Sequence, residues 1–235
     1  NQAFEIHAQR VRVLTPDGVA LASAPEISVG LSGRALMRGL VAPTRLDLIG
    51  SEFRFKIAPD GHFDLGATAG ESLVGPLAQE LLRAPRPDSV TGYLTRISVL
   101  EATVTIDDEQ RGTTWRAPRA DVILSRDAAG LRGSVVADVA IADSIAGVNA
   151  EAVYDPATDL ALVRVRYRDI DPSLLAERGA AFEPLRAVNV VLEGSAEFEI
   201  HGDGSTSEIA FEVAGGSGFF ELDAHFEDRL PLESI

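Results

Sequence analysis

Two stretches of the chain carry the same alternation of apolar and polar residues. Thr44-Arg-Leu-Asp-Leu-Ile-Gly-Ser-Glu-Phe-Arg-Phe-Lys56 and Thr95-Arg-Ile-Ser-Val-Leu-Glu-Ala-Thr-Val-Thr-Ile-Asp107 superpose. Leu46, Leu48, Phe53 and Phe55 of the first fall on Ile97, Val99, Val104 and Ile106 of the second. Successive side chains of a strand point to opposite faces, so each half of the phrase predicts a strand with one apolar face. The alternation changes phase once per copy, near Gly50 and near Glu101. A bulge or corner at each break would keep one face apolar throughout.

The same pattern recurs along the chain. Phe4 to Leu14 alternates, and Thr15-Pro-Asp-Gly18 turns it into a short run, Val19 to Leu21, with Glu26 to Leu31 as a separate strand. Ala58-Pro-Asp-Gly61 ends the run through Ile57, and Phe63 and Leu65 follow. Gly75 to Ala84 places Leu77, Leu81 and Leu82 at helical spacing before Pro85 and Pro87. Strands are then predicted over Ile97 to Asp107, at Trp115, and over Ala120 to Ser125, Leu131 to Ile141, Ile145 to Tyr154 and Leu160 to Arg168. Asp155-Pro-Ala-Thr-Asp159 reads as a hairpin loop between the last two. Asp171-Pro172 supplies an N-cap and first residue for a second short helix, Ser173 to Arg178. Val188 to Leu192, Ala196 to Ile200, Glu208 to Val213 and Phe219 to Phe226 complete the strands.

About a dozen strands and two short helices predict an all-β fold. We read 1–235 as a single β-rich segment, with 1–88 and 89–235 as its two repeat units. In β-runs such as Leu160 to Arg168, Val163, Val165 and Tyr167 oppose Arg164, Arg166 and Arg168. Antiparallel sheets with one wet face read this way. Two coverings of the dry face stay open: a second sheet, as in a closed β-sandwich, or a ligand in a groove.

Composition narrows the function. Among 235 residues, 21 are basic and 36 acidic, a formal charge of −15, which argues against nucleic acid and anionic headgroups as partners. No Cys is present, so disulfides, thiolate metal sites and Cys nucleophiles are excluded. His7, His62, His201 and His225 are scattered, without metal-ligand spacing. Asp107-Asp108-Glu109 and Asp169-Ile-Asp171 read as a turn and a helix cap rather than a hard-cation site. The Gly-rich stretch 215–218 lacks the Lys and the strand–loop–helix context of phosphate binding. We therefore expect no enzyme activity, no metal and no cofactor. No apolar run reaches a membrane-spanning length. The chain opens at Asn1 and stops at Ile235 in mid-pattern, so it reads as a segment of a longer protein.

Leu48-Ile-Gly-Ser-Glu-Phe-Arg-Phe55 followed by Asp60-Gly-His-Phe63 resembles the recurring strand unit of the AsmA-like superfamily. So do Ile97 to Asp107 followed by Trp115-Arg-Ala-Pro118, and Asp121 to Gly130. Tyr154-Asp-Pro-Ala-Thr-Asp159, Asp169 to Ala176, Val190 to Ser195 and Phe198 to Gly204 extend the likeness over nearly the whole chain. Within the superfamily it is most similar to the large YhdP-type proteins of Gram-negative bacteria, relatives of TamB. That resemblance implies an elongated, curved antiparallel sheet forming an open groove. The parent would be anchored in the inner membrane and cross the periplasm, carrying phospholipids toward the outer membrane by their acyl chains. The anchor itself has no counterpart in these residues. The groove would be lined by Leu46, Leu48, Phe53, Phe55, Ile97, Val99, Val104, Ile106, Val163 and Val165. Sheet edges left open in one segment would pair with neighbouring segments or with another copy.

Overall fold

A computed structural model describes residues 4–14, 20–60, 63–64, 81, 89–201, 205–221 and 229–232. Twelve strands form one large curved sheet that does not close on itself. They are β1 (Phe4–Leu14), β2 (Ala20–Leu31), β3 (Pro43–Ile49), β4 (Glu52–Ile57), β5 (Phe63–Asp64) and β6 (Arg96–Asp108). The sheet continues through β7 (Thr113–Asp127), β8 (Gly130–Ile141), β9 (Ser144–Asp155), β10 (Leu160–Ile170), β12 (Leu192–His201) and β13 (Ala210–Gly215). A second, small sheet contains β11 (Val188–Asn189), β14 (Gly218–Glu221) and β15 (Arg229–Leu232). Short helices α1 (Gly33–Leu36) and α2 (Pro172–Leu175) and three 3-10 segments, at 91–93, 176–178 and 180–187, complete the described chain.

From β6 to β10 the strands form a meander whose turns are written in the sequence. Asp108 accepts a hydrogen bond from Arg111 N at 3.0 Å, Asp127 from Ala129 N at 2.8 Å and Asp155 from Ala157 N at 2.8 Å. A short carboxylate that bonds the backbone two or three residues on stabilises a turn locally. Left-handed residues finish several turns: Gly112, Ala142 and Asp159 have φ of 65°, 50° and 55°.

The repeated phrase forms one structural repeat. Its two copies lie side by side in parallel, with Leu46 opposite Ile97, Leu48 opposite Val99, Phe53 opposite Val104 and Phe55 opposite Ile106. These are the parallel pairings in an otherwise antiparallel large sheet. The phase breaks are kinks at left-handed residues: Glu101 lies in a register shift against β7, whereas the pairing runs unshifted past Gly50 and past Arg10 of β1. Arg10, Gly50 and Glu101 all have positive φ, and Pro25, which has no N–H to pair, lies between Arg10 and Gly50. Pro118 sits within the adjacent irregularity of β7, between Arg116 and Arg119. A crease therefore crosses the sheet, and the apolar positions keep to one face on both sides of it.

Several boundaries differ from expectation. Val19–Leu21 and Glu26–Leu31 belong largely to one strand, because Pro25 faces the left-handed Arg10 and the pairing with β1 continues past it. Trp115 and Ala120–Ser125 likewise join in β7, with Pro118 tolerated at its bulge. Val188–Leu192 splits at Val190 between the two sheets. Of the helix expected over Gly75–Ala84, only Leu81 lies among the described residues, where it is helical and buried. Val19, Leu65 and the end of the run Phe219–Phe226 lie outside them. Asp171 caps α2 as expected, accepting Ser173 N at 2.9 Å.

Candidate functional site

Cross-strand partners share a face, so the pairing register shows what the sheet presents. Ile27, Leu48, Val99, Val122 and Val135 stand in line on β2, β3, β6, β7 and β8. The line runs on through Ala150, Val165 and Ala196 to Phe211 on β13, and in the other direction to Ala8 on β1. A second line, one step along the strands, passes through Val29, Leu46, Ile97 and Leu124 and returns to large side chains at Val163 and Phe198. Across the crease, Phe53 pairs with Val104, and Phe55 with Ile106 and in turn Trp115. Phe53 and Phe55 stack at 6.0 Å, which confirms their common face.

All ten residues expected to line a groove thus lie on this one face, in four rows. None is buried and none fully exposed. Sequence reasoning passed over Ile27, Val29, Val122, Leu124, Val135 and Phe198, which occupy the same rows. Their signal was the same alternation, overlooked where alanine and glycine dilute it.

What distinguishes this face is that no layer covers it among the described residues. Among the described residues the largest side chain with under 2% exposure is Ser51. The buried apolar residues are mostly alanines, with Leu81, Leu94, Ile141 and Val190 as the larger members. A closed domain of this length buries large aliphatic and aromatic side chains completely. The accessible surface is 15152 Å², against about 10,000 Å² for a compact protein of 24.9 kDa. Nor does a sandwich partner appear among the described residues, since the second sheet has three strands of two to four residues.

Short segments close the strand ends instead. Arg178 donates to the carbonyls of Thr114 at 3.3 Å and Ala140 at 3.2 Å, and Phe182 packs edge-on against Trp115 at 5.7 Å. At the other end the buried Arg126 donates to the carbonyl of Thr91. The rows of apolar side chains run between these two closures, across the strands.

The opposite face is charged. Arg164 holds Glu197 through two nitrogens at 2.8 and 2.6 Å, Arg54 pairs with Asp107 at 3.2 Å, and Lys56 with Glu109 at 2.7 Å. Glu5 accepts from Ser28 at 2.5 Å and Arg45 at 2.7 Å; the Ser28 hydroxyl first, and the guanidinium with it, lowers its pKa. A cleft of about 800 Å³ opens on this side, over β8 to β13. Arg166, Arg168, Asn149, Glu193 and Glu212 are among its walls, while Val135, Ala150 and Val165 of the apolar face do not line it. Val148, Tyr167 and Val213, which share the apolar face, line it as well, so the cleft meets that face one step along the strands from the row through Val135 and Val165.

Among the described residues no reactive constellation emerges. Asp107 and Glu109 are engaged in the ion pairs above, Asp108 pairs with Arg111 at 3.1 Å, and Asp171 caps α2. No cluster of three metal-ligating side chains occurs among the described residues. No described helix is long and apolar enough to cross a membrane. Comparison with family models, with curated proteins and with solved structures finds no match.

Proposed function

We propose that this chain is a lipid-carrying segment: its uncovered apolar face is a track for phospholipid acyl chains, and it works without catalysis. The observation that carries the reading is the pair of apolar rows, thinned to alanine and glycine at β8 and β9, half-buried over most of their length and without a covering layer among the described residues. A row crossing ten strands at a spacing of about 4.8 Å is about 40 Å long. One leaflet supplies about half of a 30 Å hydrocarbon core. Two acyl chains therefore fit end to end. Each methylene removed from water contributes about 0.8 kcal/mol, and a row of similar valines, leucines and alanines has no deep trap to hold it. The charged reverse face and the net charge of −15 keep the sheet in water and off anionic bilayers.

The AsmA-like resemblance places such a segment in the periplasm of a Gram-negative bacterium. Its parent would be anchored in the inner membrane and deliver phospholipid toward the outer membrane. Native mass spectrometry with lipid extraction tests the reading on protein purified from a Gram-negative host. Phospholipid should co-purify, and be lost from Phe55→Asp or Val104→Asp proteins that keep their circular dichroism. A wild-type protein that neither co-purifies phospholipid nor takes it from vesicles would sink the proposal.

A further inference from the structure

Beyond carrying lipid along its own face, the sheet has two free edges that match each other. β13 ends the pairing order on one side; on the other, β1 pairs only with β2 among the described strands and forms an edge, as does the two-residue β5. Unpaired edges are usually blunted by charge, proline or a covering segment. Here the edges carry exposed large apolar side chains: Phe4 is 58% and Ile6 53% exposed on β1, Phe211 73% and Val213 45% on β13.

The topology makes these edges compatible. Between β1 and β13 the sheet takes one parallel step and an even number of antiparallel ones, so the two strands point the same way. A second copy translated along the sheet would lay its β1 parallel to β13 with both apolar faces on the same side. The left-handed kink at Arg10 limits the straight part of β1 to the residues before it, which suits the 6 residues of β13. In the register that keeps the faces aligned, Phe211 comes beside Ile6, Val213 beside Ala8, and Glu212 beside His7. Gly215, with no side chain, meets the kink. Self-pairing of two β13 strands about Glu212 would instead set like charges opposite each other.

We propose that copies of this chain associate head to tail, β13 of one to β1 of the next, so that the apolar rows continue from one copy into another. Such a contact is heterologous and does not close, so it gives a distribution of lengths rather than one dimer. The inference does not depend on lipid being the cargo, and its test uses delipidated protein.

Sedimentation and native mass spectrometry of the 235-residue chain should show a concentration-dependent ladder of multiples of 24.9 kDa. Ile6→Asp and Phe211→Asp alter exposed side chains and should each leave a folded monomer. Mixed together, the two variants retain one intact edge of each kind and should give a single one-to-one dimer. Glu212→Arg should break the ladder, and His7→Glu in the same chain should restore it. A monomer at every concentration overturns the proposal. So does association that survives Phe211→Asp, which would mean a contact that does not use β13: a closed dimer through β1, or a ladder through another surface. So does a mixture that stays monomeric.

Discussion

Gly50 and Glu101 stand side by side in the two copies of the repeated phrase, and both have a left-handed backbone, with φ of 64° and 54°. The offset between them is the one that separates Thr44 from Thr95, whose backbone groups are also bonded across the copies. Gly50 N donates to Leu100 O at 2.9 Å, and Glu101 N to the Asp121 carboxylate at 2.7 Å. The crease is thus built twice from different chemistry: a residue with no Cβ in one copy, and an exposed Glu held by a neighbouring carboxylate in the other.

That difference predicts opposite responses at equivalent positions. A non-glycine residue in the left-handed region costs about 1–2 kcal/mol. Gly50→Ala should lose that amount in urea denaturation. Glu101→Gly should be neutral or gain up to about 1 kcal/mol, the relief being partly offset by the greater freedom of glycine in the unfolded chain. Equal effects of the two substitutions would mean that the crease is not strained.

A larger loss is expected at Gly130, where β8 begins. Its φ is 138°, and a Cβ there would lie 2.1 Å from the carbonyl oxygen of Tyr154. No flexible side chain can yield at that point, because the obstacle is the backbone of β9. Gly130→Ala should therefore cost at least about 3 kcal/mol, more than an ordinary left-handed glycine. Hydrogen exchange should show the added opening in β8 and β9 before β1 or β2.

Acid should loosen the β1 edge before the rest of the sheet. The Glu5 carboxyl is held below its ordinary value of 4.5, first by the Ser28 hydroxyl and then by Arg45, and it ties β1 to β2 and β3. A carboxyl depressed in the folded state contributes its stability above its unfolded pKa and loses it as pH falls through the folded one. Exchange protection of β1 should therefore be steady above about pH 4.5 and fall below it. Glu5→Gln should weaken β1 at neutral pH and flatten this dependence. An acid response of β1 unchanged in that variant would assign it to another carboxyl.

The helical closure has its own reporter, because Trp115 is the only tryptophan and Phe182 packs against it. Asp171→Ala removes the cap of α2 and should cost about 1 kcal/mol. Phe182→Ala should shift Trp115 emission to the red while far-ultraviolet circular dichroism stays that of the sheet. Emission that does not move would place the 3-10 segment 180–187 away from the indole in solution.

Much of this architecture was legible in the sequence, because a period of two and a phase break are local signals. The repeat of Leu46, Leu48, Phe53 and Phe55 on Ile97, Val99, Val104 and Ile106 proved to be a physical pairing, residue for residue. Alternation assigns faces and not partners, however, so the parallel contact between the copies could not be read. The strands appeared to break near Pro25 and Pro118 because the tolerance of these prolines depends on the left-handed Arg10 opposite Pro25 and on the register shift of β7 around Pro118. Of the six lining residues passed over, Val135 shares β8 with Gly133 and faces Ala150 on β9, where the apolar signal thins, while Ile27 and Val29 alternate plainly on β2 and lacked only a known neighbour.

The most direct test of the track uses adjacent residues on opposite faces. Val135 belongs to the long apolar row between Val122 and Ala150, whereas Val136 points to the charged side and is 50% exposed. Their chemistry is identical and their backbone positions are one residue apart, so strand stability and local charge cancel in the comparison. A photo-crosslinking side chain at 135 should capture labelled phospholipid in the lipid-loaded protein, and the same group at 136 should not. Val135→Asp should likewise reduce bound phospholipid several-fold while Val136→Asp leaves it unchanged, because only the former sets a carboxylate in the path of the acyl chain. Equal capture at both positions would mean that lipid meets the protein non-specifically. Capture at 136 alone would place the track on the charged face.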